Sequence, residues 1–99
     1  MFADRKFIGV SHEEAEILAV RALGFLAEHR ERMEGFIRMS GVAVGDLRVL
    51  ASDPDYLGAV LDYLLADERC LLEFTERVGV APELPYAARR KLEGDPAWA

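Results

Sequence analysis

The sequence predicts an all-α fold, a single compact bundle of five to six helices. Three observations carry that expectation. Apolar residues recur at helical spacing through most of the chain, capping residues and glycine stops punctuate them at short-helix intervals, and strand-like alternation appears only weakly, at Lys6 to Val10.

The first helix runs from Ser11 to Glu28. Ser11 and Glu14 form a capping box, in which the hydroxyl accepts from a free first-turn amide and the carboxylate reaches back to the amide of Ser11. Polar positions on this helix fall almost entirely on one stripe of Glu14, Arg21 and Glu28, while Ala15, Ile17, Leu18, Ala19, Val20, Ala22, Leu23, Phe25, Leu26 and Ala27 occupy the rest. Such a helix is expected to be covered on several sides, by other helices, a second copy or a partner.

The polar run His29-Arg30-Glu31-Arg32 interrupts the pattern, and Met33, Phe36, Ile37 and Ser40 resume it as a shorter second helix before Gly41. Val44, Leu47 and Leu50 suggest a brief third helix. Asp53 is a strong cap for the fourth, Pro54 suits its first position because no amide hydrogen is needed there, and Leu57, Val60, Leu61, Leu64 and Leu65 mark its apolar face. Asp67 caps a fifth helix bearing Leu71, Phe74 and Val78, which Gly79 ends in the left-handed conformation. Pro82 and Pro85 announce a last helix, from Pro85 to about Leu92. Residues 94–99 lack periodicity, and with residues 1–10 they are expected to be loosely structured ends of one domain spanning 1–99.

A shift of 38 residues, which carries Gly41 onto Gly79, also sets Phe25 on Tyr63, Leu26 on Leu64, Met33 on Leu71 and Phe36 on Phe74. Two similar three-helix units would produce this match. So would convergent capping, because a hydrophobic residue after the terminal glycine packs back on the last turn.

At 99 residues and 52% apolar content there is room for one domain. The net charge of −6, from 18 acidic and 12 basic residues, disfavours phosphate backbones and anionic headgroups, so neither nucleic acid nor membrane is expected as a partner. Cys70 is the sole cysteine and precludes an internal disulfide. The amino terminus does not read as a signal peptide, and no apolar run reaches the ~18 residues of a membrane span. A cytoplasmic location is expected.

Chemistry-bearing residues are sparse. His12 and Glu16 share a helix face at a spacing that suits two metal ligands, but no third ligand stands at a matching distance, so a solvated helix start is the better account. Cys70 lies four residues before Phe74 and reads as a small buried apolar residue rather than a nucleophile. Asp62 is expected to be solvated and Asp67 to cap a helix. Met33 to Ser52 has the outline of a helix-turn-helix, with Arg38 and Arg48 nearby, yet its second helix would begin Val44-Gly45-Asp46, without the basic or amide side chains a groove reader needs. Arg89-Arg90-Lys91 falls at the end of the last helix, where cations complement the macrodipole. No catalytic, cofactor-binding or metal-binding residue is assigned.

The runs Ala22-Leu23-Gly24-Phe25-Leu26-Ala27-Glu28 and Val60-Leu61-Asp62-Tyr63-Leu64-Leu65-Ala66-Asp67-Glu68, with Ser40-Gly41-Val42 between them, resemble the alphaproteobacterial family DUF3572, defined only as a domain of unknown function. The resemblance spans most of the chain and implies a short cytoplasmic bacterial protein of one domain. It implies no activity, cofactor or catalytic residue. Relatives tend to have an acidic-proline break after the first helix where this chain has His29-Arg30, which leaves open whether the first two helices are continuous.

The function expected from these residues is that of a non-enzymatic interaction or regulatory module with a protein partner, a homodimer being one form of such contact. Leu72 lies off the Leu71, Phe74, Val78 face, and with Phe7, Tyr86 and Trp98 it forms the candidate partner surface. The alternative is an accessory subunit or small-molecule-binding helper of an enzyme, with a pocket between helices.

Overall fold

Three helix starts are fixed by side chains that replace missing backbone acceptors. In the computed structural model, which describes residues 10–41 and 53–93, the order is α1 (His12–Ala27), α2 (Arg30–Ser40), α3 (Pro54–Leu65), α4 (Glu68–Val78) and α5 (Leu84–Glu93). The predicted helix at Val44 to Leu50 lies outside the described residues. The Ser11 hydroxyl accepts from the Glu14 amide at 3.0 Å and the Glu14 carboxylate accepts from the Ser11 amide at 2.9 Å. Asp53 accepts from the Asp55 amide at 3.0 Å with Pro54 in the first turn of α3, and Asp67 accepts from the amides of Arg69 and Cys70.

The polar run after α1 is mostly helical. Helix α2 begins at Arg30 rather than at Met33, because only His29 leaves the helical path, being extended at φ −123° and ψ 115°, while Glu28 keeps helical dihedrals. Charged residues cost a helix little when they face water, so apolar periodicity alone placed the boundary a turn too late. The first two helices are separate elements.

Residues α2 and α4 end on glycines in the left-handed region, Gly41 at φ 73° and Gly79 at φ 76°. The match at an offset of 38, set by Gly41 and Gly79 in the sequence, extends to the backbone. Glu28 and Ala66 close α1 and α3 in the same conformation, His29 and Asp67 open the next helix extended, and α2 and α4 have the same length of 11 residues. The matched aromatic positions pair crosswise. Phe25 of α1 meets Phe74 of α4 edge-on at 5.5 Å, and Tyr63 of α3 meets Phe36 of α2 edge-on at 5.7 Å. The two hairpins are therefore embraced in a pseudo-symmetric way.

Helix α5 packs against both α1 and α3, which also pack on each other. Ala15, Ala19 and Ala22 are fully buried on α1, and their small side chains let neighbouring helices approach. Phe36 and Phe74 are the largest fully buried side chains, with Leu18, Leu26, Leu57, Leu61 and Leu64 around them. The Cα radius of gyration of 13.0 Å matches the value of about 13 Å expected for this length.

Coverage of α1 departs from the expectation. Its neighbours all lie on the face that carries Ala15, Leu18, Ala22 and Leu26, so Ile17 is left 46% and Val20 41% exposed, with Gly24 and Ala27 also open to solvent. In so small a bundle a helix has one inward arc, and beyond it α4 comes near only at the end of α1, where Arg77 pairs with Glu28.

Candidate functional site

The turn from α4 into α5 brings two large apolar side chains to the surface together. Leu72 points away from the Leu71 and Phe74 face of α4 and is 45% exposed, while Tyr86, one turn into α5, is 50% exposed. Both line an open groove of about 380 Å³ whose other walls are Leu71, Pro82, Glu68 and Glu83. Its chemistry is an apolar floor between two carboxylates, suited to an apolar side chain flanked by basic groups. Phe7 and Trp98 lie outside the described residues.

A second groove, of about 260 Å³, runs between α1 and α4 past Arg21, Gly24 and Phe25. The Arg77 guanidinium closes one end by pairing with Glu28 at 2.5 Å. Arg32 and Arg77 stand over the Phe25 ring, 5.1 Å and 5.9 Å from its centroid. Arg32 also donates to Glu73, which raises its pKa, while its Nη1 is buried with no hydrogen-bond partner. The guanidinium as a whole gains a cation–π contact from the electron-rich ring face. Nothing in the sequence signals this cluster, because Arg32 and Glu73 stand 41 residues apart.

The remaining candidates take structural roles. His12 Nδ1 and Glu16 Oε2 approach to 3.6 Å at the exposed start of α1, and among the described residues no three His, Cys, Asp or Glu side chains gather as metal ligands. Cys70 is 1% exposed, and burial pushes its thiol up, against a smaller downward pull from Arg32. It packs in the core, as its spacing from Phe74 predicts. Asp67 is a helix cap.

Asp62 is not simply solvated. It accepts two hydrogen bonds from Arg89, from Nε at 2.6 Å and Nη2 at 3.1 Å, a forked geometry that ties α3 to α5. Arg89 is thereby held by a carboxylate of another helix, with its pKa raised, and Arg90 and Lys91 alone occupy the last turn of α5 as expected. Arg89 also lies against Gly58, its Nη1 being 3.2 Å from the position a Cβ would take there. The sequence shows the basic triplet but not which member turns inward.

No helix among the described residues is long and apolar enough to cross a membrane. No curated protein and no solved structure matches the chain. Residues 12–95, which are 84 of the 99, match the family described as "Protein of unknown function (DUF3572)". This span runs from the first residue of α1 past the end of α5, so the same segment that builds the bundle and both grooves is what makes the chain a member of the DUF3572 family.

Proposed function

We propose that this chain is a non-enzymatic interaction module whose partner surface is the groove between α4 and α5. The observation that carries this reading is the convergence of Leu72 and Tyr86, two large side chains that the core does not need, on one apolar concavity. An aromatic and an aliphatic anchor side by side form the centre around which protein interfaces concentrate their binding energy. Glu68 and Glu83 at the rim select a partner segment that presents an apolar residue next to Lys or Arg. Apolar groups of this size, exposed singly, are ordinary on any surface; it is their pairing in a concavity that supports a docking role.

Leu72→Arg tests the reading. An exposed side chain is replaced, so thermal unfolding should stay within about 0.5 kcal/mol of the wild type. Capture of a specific partner from the native host should fall at least tenfold. Equal capture of the same proteins by both forms sinks the proposal. The small-molecule alternative is favoured by the groove volume of about 380 Å³, within the range of about 300–1,000 Å³ seen for ligand sites. A thermal-shift screen against metabolites separates the two, since a ligand at 100 times its Kd adds about 2.7 kcal/mol and the interaction reading expects no such shift.

A further inference from the structure

The groove between α4 and α5 is short. Its α4 wall is a single turn, from Glu68 to Leu72, about 6 Å of helical rise, and its other wall is the turn of Pro82 and Glu83 with the start of α5 as far as Tyr86. A helix that docks in a groove presents anchors from position i to i+7, a span of about 10 Å, and overruns both walls. The fitting occupant is a few residues of extended chain.

Backbone chemistry narrows which extended chain. Every element among the described residues is a helix, so the walls offer no strand edge with which a β-conformer could pair. A polyproline II segment needs no such edge, because its backbone stays solvated without internal hydrogen bonds. Proline also fixes this conformation before binding, which lowers the ordering cost of a small contact.

The side chains agree with that choice. Leu72, Pro82 and the half-exposed ring of Tyr86 are the apolar surfaces of the groove, and proline-rich segments dock on aromatic-lined grooves of this kind. Consecutive prolines carry carbonyl acceptors and no amide donors, so a hydroxyl donor on the groove wall suits them. The Tyr86 hydroxyl makes no hydrogen bond among the described residues and is free to donate. Glu68 and Glu83 likewise make no ion pair there, which leaves both carboxylates for a cation of the partner.

We infer, on the reading of this groove as the partner surface, that its ligand is a short proline-rich segment in the polyproline II conformation flanked by Arg or Lys. The prolines seat against Leu72, Pro82 and Tyr86, the Tyr86 hydroxyl donates to a ligand carbonyl, and the flanking cation pairs with Glu68 or Glu83.

Titration of the full chain with the peptide acetyl-Pro-Pro-Leu-Pro-Pro-Arg-Lys-amide, followed through the amide resonances of Leu72 and Tyr86, tests this. Binding should saturate with a Kd below about 1 mM and weaken with added salt. Replacing the prolines by alanine, or Arg-Lys by Glu-Glu, should each weaken it by about tenfold or more, and a helix-forming Ala-Leu-Lys peptide of the same charge should bind no better than the alanine form. Tyr86→Ala and Leu72→Arg, both at exposed positions, should abolish saturation with an unchanged circular dichroism spectrum. No saturable shift with the proline peptide, equal binding of the alanine form, tighter binding of the helical peptide, or binding unmoved by both substitutions would each overturn the inference. If Leu72→Arg still abolishes capture of the native partner in that event, the groove keeps its docking role and only the class of ligand is wrong; if capture is also unaffected, the docking role falls with it.

Discussion

Gly35 and Gly24 are both helical glycines, yet their surroundings differ in a way that reverses the effect of the same substitution. At Gly35 of α2 a Cβ would collide with the Tyr63 hydroxyl of α3, so the missing side chain is what lets that phenol lie against α2. Gly35→Ala should destabilise by about 1–3 kcal/mol in spite of its better helix propensity, because overpacking outweighs the gain. Tyr63→Phe removes the colliding oxygen and should recover most of that loss in a double mutant followed by urea unfolding. Gly24→Ala, with open space around it, should instead stabilise the diluted protein by about 0.5–1 kcal/mol. Equal effects at the two sites would show that packing at Gly35 is slack. Arg32 belongs to this scale too, since its guanidinium satisfies Glu73 on one side and the Phe25 ring on the other.

Among the elements, α1 is held at its first turn by the capping box, and its last turn carries no basic residue to complement the helix dipole. Hydrogen bonding from the Ser11 amide holds the Glu14 carboxyl below the usual glutamate range. A depressed carboxyl contributes stability that is present above its unfolded value, about 4.3, and is lost as pH falls through the lower folded value. The amides of the first turn of α1 should therefore lose protection, relative to their intrinsic exchange rates, as pH drops through that window. Ser11→Ala should cost about 0.5–2 kcal/mol, whereas Glu14→Gln removes the titrating carboxyl and should flatten the dependence. A mutant whose amide exchange keeps the wild-type pH profile would show that the box does not hold the helix start. Asp53 and Asp67 likewise accept from the amides that follow them at the starts of α3 and α4, but without the reciprocal carboxylate that completes the box on α1.

For the molecule as a whole, the interlocking of the two hairpins through aromatic rings sets the stability. Phe36 is fully buried and meets Tyr56 at 5.4 Å and Tyr63 at 5.7 Å, both edge-on, so it joins α2 to α3 at two points. Phe36→Ala should cost about 3–5 kcal/mol, a large share of the 5–15 kcal/mol typical of a native domain. The variant should show a sharply lowered Tm or arrive unfolded by circular dichroism. A loss under about 1 kcal/mol would mean that the hairpins are held together elsewhere, by α5.

The all-α class, the helix caps, the left-handed glycine stops and the burial of Cys70 were legible in the sequence, because each depends on residues within a few positions of one another and on the preference of one backbone conformation for one residue type. The groove joining Leu72 to Tyr86 was legible in part, since Leu72 stood off the apolar pattern of its helix and Tyr86 was grouped with it. The break after Glu28 was read from the polar run, its confinement to His29 was not, and the turn of Arg89 towards Asp62, the Arg32 and Phe25 stack, and the exposure of Ile17 and Val20 were decided only in three dimensions. Those features depend on which faces of α1, α3 and α5 meet. That choice is made by the volumes of side chains tens of residues apart, a quantity that periodicity along a single helix does not contain.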